Sequence, residues 1–390
     1  MLHTIRQGSR LLGYIAIDST VQGRSRGGLR IADGLSEEEL RSAARAMTLK
    51  YGLIGLPQGG AKAGIVGNGD ATEAEKRRLL HEFASAAKTL LLDRAYIPDA
   101  DMSTGAADIR WMLESVGATV APREVRENRS GDYTARSCLA SAAAVLRRKG
   151  RSLEGRRVAV EGFGKVGSAL ARLLKRSGAR VVAVSTSSGA LYRADGLDVE
   201  RLAQCAAEVG SRFVEDEPGT LDRAALLELD VDLLCPCARF HSIHAGNVDR
   251  IAAAAICAGA NNPVSPEAEG VLLEHGVSCP PDFMTNSGGV LGGTLEFAGV
   301  PFDRINAVIE EEVGPRVSEL LDRAEALGVA PRELAEADAD ERHARVRREA
   351  EHPGLLGRLR ELGLDAYRRA WIPQRPVSWV APRYLARLMA

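Results

Sequence analysis

The sequence predicts an α/β protein of two domains, and three observations predict it. At 390 residues the chain is long enough for two or three domains, each with its own hydrophobic core. Short apolar and β-branched runs alternate with segments whose apolar residues recur at helical spacing, the pattern of strands covered by helices. A G-x-G-x-x-G stretch at Gly162, Gly164 and Gly167 stands between a strand and a helix, which makes the second domain a Rossmann-type dinucleotide-binding domain.

Composition narrows the partners. A formal net charge of -1 excludes a broad electrostatic attraction to nucleic acid or anionic lipid, so neither nucleic acid nor membrane is expected as a partner. No segment reaches the roughly 18 apolar residues of a membrane span, and a soluble, cytoplasmic protein is expected. Six cysteines scattered through a large chain with no export signal read as reduced thiols. The cluster Cys235-x-Cys237-x3-His241-x2-His244 has a cysteine spacing too short for the usual zinc knuckle. It follows apolar Val231, Leu233 and Leu234, so a buried strand is expected there and no metal.

In chain order, Leu12 to Ile17 and Leu29 to Ile31 read as strands around a turn-rich segment. Ser36 with Glu39 forms a capping-box signal for a helix over 37–53, whose apolar stripe runs through Leu40, Ala43, Ala44 and Met47. Lys50 falls on the edge of that stripe, where a snorkelling lysine is the plain alternative to a ligand-binding one. After Pro57, the stretch Gly59 to Gly64 reads as a loop in which Lys62 is the only side chain with chemistry. The chain has seven lysines against forty-four arginines, and two of the seven lie here. Burial can turn an ammonium into a base, whereas a guanidinium stays protonated, so this stretch points to proton chemistry.

A second amphipathic helix is expected over 71–92. A short strand over 95–98, stopped by Pro98, then delivers Asp99 and Asp101 to a loop end. A carboxylate at a strand end is also a common helix N-cap, and that reading is kept for Asp99. Thr134 opens an alanine-rich helix over 136–149 that crosses into the second domain. There the strand over 155–160, the glycine motif, a helix over 168–176 and a strand over 181–184 follow at the right intervals. The glycines allow a tight turn, close approach of a pyrophosphate and helix-to-strand packing, and helix N–H groups face the anion. The second strand ends in Ser185, Thr186, Ser187 and Ser188, and a later strand holds Leu233 to Pro236. Residues 304–350 read as charged helices, and 353–390 as a tail rich in Arg, Pro and aromatics.

Taken in order, Gly27-Gly28-Leu29-Arg30, Met47-Thr48-Leu49-Lys50, Leu56-Pro57-Gln58-Gly59-Gly60-Ala61-Lys62, the aspartate loop around Asp101, Gly162 to Gly167, Ala258 to Pro263 and Pro281 to Val290 resemble the glutamate/leucine/phenylalanine/valine dehydrogenase family. The resemblance covers roughly residues 10 to 300. It implies reversible oxidative deamination of an L-amino acid to a 2-oxo acid and ammonia with NADP or NAD, in a homo-oligomer, a hexamer by family habit. The implied division is a substrate and oligomerisation domain over 1–133, a Rossmann domain over 134–335 and C-terminal helices over 336–390 folding back on the first, with the active-site cleft between the domains.

The resemblance also implies roles. Lys62 is the base that activates water, its pKa lowered by burial and by Lys50; Asp101 shuttles a proton; and Lys50 binds the substrate α-carboxylate. Arg26, Gly28, Gln58, Val290 and Gly293 belong to the substrate pocket. Gly162, Gly164, Lys165, Val166 and Gly167 hold the pyrophosphate, Thr186 and Ser187 the ribose, and Thr134 and Asn261 lie by the nicotinamide, with Asn262 competing in register.

Three departures from the family matter. Thr186 stands where NAD-selective members carry an acidic residue, which points to NADP or either form; no arginine sits in that loop, and Arg193 is the nearest candidate. Glutamate-specific relatives have a lysine directly before Gly-Gly-Leu-Arg, and Arg26 stands there, so glutamate is the expected substrate. Against this, Gly293 replaces the serine of glutamate enzymes. A branched-chain or aromatic substrate, or a catalytically silent regulatory relative, is the alternative. A hydroxy-acid dehydrogenase would want a catalytic histidine, and none of the seven histidines lies in a cleft motif.

Overall fold

Helices alternate with strands through most of the chain because the apolar residues switch between periods of two and about 3.6. The computed structural model describes residues 1–69, 71–125, 129–215 and 217–389. The chain divides into a first unit of Met1–Asn128, Leu295–Val300 and Ala337–Ala390, and a second of Arg129–Thr294 and Pro301–Glu336.

The first unit runs β1 (Leu2–Gln7), β2 (Arg10–Ile17), β3 (Ser25–Ala32), α1 (Glu37–Ile54), β4 (Gly59–Val66), α2 (Glu73–Ala86), α3 (Lys88–Leu92), β5 (Tyr96–Ala100) and α4 (Ala106–Ser115). The strands form one sheet in the order β1-β2-β4-β3-β5, with β3 parallel to both β4 and β5. On one face Ile15, Leu29, Ile31 and Ile65 meet Leu80, Phe83, Ile109 and Met112 of the helices in the main core. On the other, Leu40 and Ala44 of α1 pack on Ala16.

The Lys62 stretch is not a loop but β4, a central strand hydrogen-bonded on both sides. Glycine is a poor strand former in general. Here its bareness is what lets α1 settle: a Cβ on Gly60 would lie 2.3 Å from the Thr48 amide nitrogen, and one on Gly64 2.6 Å from Leu35. The expected capping box is half present. Ser36 Oγ accepts from the Glu39 N–H at 3.4 Å, but the Glu39 carboxylate turns to Arg30.

The second unit runs α5 (Ser130–Arg148), β6 (Arg157–Glu161), α6 (Lys165–Arg176), β7 (Arg180–Thr186), β8 (Gly189–Tyr192), α7 (Val199–Val209), β9 (Thr220–Leu221), α8 (Arg223–Leu227), β10 (Leu233–Pro236), α9 (Pro266–Glu274), α10 (Asp282–Thr285), α11 (Gly288–Phe297) and α12 (Phe302–Leu327). Its sheet has the order β10-β6-β7-β8-β9; the first three strands are parallel, and β8 and β9 extend it antiparallel. Val182, Leu234, Ile256, Leu226 and Leu272 form the core on one face.

Three helices close the chain: α13 (Pro331–Glu351), α14 (Leu355–Arg368) and α15 (Gln374–Met389). Within the first unit α13 and α15 pack on α1. Arg45 donates to both carboxylate oxygens of Asp340 at 2.7 and 2.6 Å, and a Cβ on Gly52 would stand 2.1 Å from the Ala339 carbonyl. Tyr367 on α14 donates to the Phe297 carbonyl at 2.7 Å, while Leu355, Leu356, Leu359 and Leu362 remain exposed. Among the described residues no helix is long and apolar enough to cross a membrane.

Candidate active site

Strand geometry gathers the charged groups of the first unit. Side chains alternate across a strand, so Arg26, Gly28 and Arg30 of β3 share one face. Arg26 pairs with Gly60 of β4, so Lys62 two residues on stands level with Gly28, and Gly28 pairs with Asp99 of β5. The result is a row of charges on one side of a buried sheet.

At its centre Lys62 Nζ lies 2.6 Å from Asp101 Oδ2. The same carboxylate oxygen accepts from Arg30 Nε at 3.1 Å, and Arg30 Nη1 reaches Glu39 Oε1 at 2.5 Å. Gly28 is the floor of this group: a Cβ there would stand 2.8 Å from Asp101 Cβ and 3.0 Å from Lys62 Nζ. Thr104 fixes the carboxylate's backbone, since its Oγ1 accepts from the Asp101 N–H at 2.9 Å and donates to the Leu29 carbonyl at 2.7 Å.

Electrostatics follow from that packing. Burial pushes the Lys62 ammonium below the usual lysine range; Asp101 pulls it back up, the Arg30 guanidinium pushes it down again, and the net direction is down. Burial alone would raise the Asp101 carboxyl, but Lys62 and Arg30 outweigh it and hold it well below the usual carboxylate range. The largest cationic contribution lowering Lys62 comes from Arg30, which the sequence reading did not single out; it had named Lys50, which is buried on α1.

Beside this group, Arg26 Nη1 donates to Asp99 Oδ1 at 2.7 Å. Asp99 is thus a strand residue holding an arginine and not a helix cap; the N-terminus of α4 is closed by Asp108, which accepts from the Gly105 N–H at 2.8 Å. Tyr51 of α1 reaches the Arg26 carbonyl through its hydroxyl at 3.5 Å. Gln58 is half-buried, and its carbonyl accepts from His343 Nε2 at 2.8 Å. Arg30, Glu39, Asp99 and Thr104 were not singled out as site residues from the sequence. The usable signal was the period of two that puts Arg26, Gly28 and Arg30 on one face.

In the second unit the glycine motif separates into three jobs. Gly162 turns the chain at φ 90°, in the left-handed region. A Cβ on Gly164 would meet no protein atom within 4 Å, so the space over that backbone is open. A Cβ on Gly167 would lie 1.9 Å from the Gly162 carbonyl oxygen, so only glycine lets α6 sit this close to the turn. Lys165 is exposed at the start of α6 and Val166 half-buried behind it. Open backbone ahead of a 12-residue helix fits a dinucleotide pyrophosphate.

The loop after β7 differs from expectation. Its hydroxyls are largely engaged within the protein: Ser185 Oγ accepts from the Gly162 N–H at 2.9 Å, and Thr186 Oγ1 donates to the Ser211 carbonyl at 2.8 Å. Arg193 pairs with Glu217 at 3.5 Å, and the arginine that reaches the loop is Arg223 of α8, donating to the Ser187 carbonyl at 3.3 Å. It lies 36 residues further along the chain, beyond any local reading.

Asn261 Oδ1 accepts from Asn286 Nδ2 at 3.2 Å, and the Asn262 N–H is held by Asp282 at 2.9 Å. Asp282 in turn receives Arg332 at 2.6 Å, so a buried ion pair fixes this asparagine turn. Thr134 lies where a Cβ on Gly289 would touch its hydroxyl, and Val290 and the open Gly293 stand one turn apart on α11.

A nucleotide-type sheet in one unit and a buried lysine–aspartate pair in the other fit a dinucleotide-dependent oxidoreductase. Family models agree: one described as Glutamate/Leucine/Phenylalanine/Valine dehydrogenase matches residues 128–339, and one described as Glu/Leu/Phe/Val dehydrogenase, dimerisation domain, matches residues 4–117. The chain is 34% identical over 298 residues to a glutamate dehydrogenase of Thermotoga maritima, covering 73% of this chain and 72% of the relative. It is 32% identical over 289 residues to an NADP-specific glutamate dehydrogenase of Halobacterium salinarum, covering 71% and 69%. The crystal structure of a hetero-hexameric glutamate dehydrogenase from Thermus thermophilus superposes with a TM-score of 0.76 at 28% identity, covering 89% of this chain and 88% of that one. The chain belongs to the Glu/Leu/Phe/Val dehydrogenase family, and its enzymatic class is amino acid dehydrogenase.

Proposed function

We propose that this protein catalyses reversible NAD(P)-dependent oxidative deamination of an L-amino acid to its 2-oxo acid and ammonia. The observation that carries the reading is Lys62 Nζ held 2.6 Å from Asp101 over a bare Gly28, with Arg30 behind. Bound NAD(P) supplies the acceptor for the hydride of the substrate α-carbon. Gly162, Gly164, Lys165, Val166 and Gly167 would hold its pyrophosphate, Thr186, Ser187 and Arg223 its ribose, and Thr134 and Asn261 would orient its nicotinamide.

Each role suits the group's environment. Lys50 binds the substrate α-carboxylate. Lys62, depressed by burial, is neutral often enough to take a proton from the water that attacks the imino intermediate. Asp101, held ionised by Lys62 and Arg30, offers an anionic acceptor to the substrate nitrogen; to carry its proton it must be released from those two cations as the substrate binds. We place the enzyme in the cytoplasm as a homo-oligomer, a hexamer by analogy with the family. The dimerisation-domain match and the hetero-hexameric Thermus relative support assembly, and the exposed leucines of α14 are suited to a contact.

Two readings of the substrate side chain stand. The relatives named glutamate dehydrogenase, with Arg26 on the site face, favour an acidic side chain. The Asp99 carboxylate already on that guanidinium favours an uncharged one. Ammonium-dependent oxidation of NADH and NADPH should be measured with 2-oxoglutarate, 2-oxoisocaproate and phenylpyruvate. Turnover with at least one oxo acid supports the class, the ratio of kcat/KM values ranks the side chains, and no ammonium-dependent turnover with any of them sinks the assignment.

A further inference from the structure

Arg26 stands beside the Lys62 and Asp101 group, on the same face of the sheet, where on the proposed function a substrate side chain would meet it. Its guanidinium is not bare. Asp99, directly opposite Gly28 on β5, holds Arg26 Nη1 at 2.7 Å, and both side chains keep partial exposure, 24% and 36%. The other carboxylate within electrostatic reach, Glu124, is taken up by Arg94 and by the Ala121 N–H at 3.2 Å. Asp99 is therefore the counter-charge that belongs to Arg26.

Arg26, Arg30 and Lys62 each have a carboxylate partner without a substrate side chain. Lys62 and Arg30 are offset by Asp101 and Glu39, and Arg26 is offset by Asp99. A substrate carboxylate arriving at Arg26 would set two like charges on one guanidinium, each disfavouring the ionised form of the other. The remaining N–H groups of Arg26 can still donate to a carbonyl, an amide or a hydroxyl.

From this juxtaposition we propose that Asp99 is the specificity-determining residue, standing in for the substrate's side-chain carboxylate on Arg26, so that the enzyme prefers 2-oxo acids with uncharged side chains over dicarboxylates. The inference rests on the amino acid dehydrogenase reading and refines it.

The test is kcat/KM for ammonium-dependent reduction of 2-oxoglutarate and of 2-oxoisocaproate in the wild type, Asp99→Ala, the near-isosteric Asp99→Asn, and Asp99→Ala with Arg26→Leu. The wild type should favour 2-oxoisocaproate. Each single variant should shift the ratio toward 2-oxoglutarate by about tenfold or more, the scale of one charged hydrogen bond, and Arg26→Leu should erase that shift. Should Asp99→Ala fold poorly, Asp99→Asn removes the charge at nearly constant shape and reads the same ratio. A ratio unchanged in both variants, or a wild type that already prefers 2-oxoglutarate, overturns the proposal while ammonium-dependent turnover keeps the parent reading. Absence of turnover in the wild type with both acids and with phenylpyruvate removes both.

Discussion

The two sheets are built for their proposed ligands by opposite means. In the first unit five charged side chains crowd one face of β3, β4 and β5, and each is held by a partner on a neighbouring strand or helix. In the second the working surface is almost free of side chains: Gly162 turns, Gly164 leaves room and Gly167 lets the helix approach. A site of buried charges must be assembled from distant parts of the chain, because each charge needs its counter-charge and sequence neighbours on a strand point to opposite faces. A site made of bare backbone can be written in six consecutive residues.

That division predicts how each half breaks. The largest effect belongs to Lys62→Met, which removes the proposed base while keeping most of the side chain's volume. Turnover should fall by about 10³-fold, whereas the dinucleotide Kd from fluorescence titration stays within about threefold of wild type, a difference worth under 1 kcal/mol. Near-normal turnover would remove Lys62 from the mechanism.

Glycine substitutions sharpen the contrast. A methyl group at Gly28 presses on Asp101 and Lys62 at 2.8 and 3.0 Å, so Gly28→Ala should cost about 10²-fold in kcat/KM through misplacement of the pair, with dinucleotide binding retained. Gly164→Ala meets no protein atom, so its melting temperature should stay near wild type while the dinucleotide Kd rises. Equal effects of both variants on Kd would erase the distinction between the units.

The same contrast explains what could be read from the sequence. The glycine motif was legible because strand, turn and helix are consecutive, and Lys62 and Asp101 because linked motifs in fixed order singled them out. β4 was misread as a loop, since its glycines look like turn residues until a helix and two strands are packed against them. Arg30 and Asp99 were passed over because their meaning lies in pairings 71 and 73 residues apart, Arg30 with Asp101 and Arg26 with Asp99. Arg223 escaped for the same reason: only the fold brings α8 to the loop after β7.

The smallest effect is also the most telling, because it concerns how Lys62 is tuned. Burial first, and then Arg30, hold its pKa down, while Asp101 works the other way. Replacing Arg30 by methionine removes a cation that disfavours protonated Lys62 while Asp101 goes on pulling upward, so the pKa rises. A base must be neutral to act, so the ascending limb of kcat against pH for oxidative deamination should move to higher pH in Arg30→Met. A shift of about one unit is expected, corresponding to about 1.4 kcal/mol. A limb that stays in place, or moves to lower pH, would contradict a Lys62 base tuned by its buried charged neighbours.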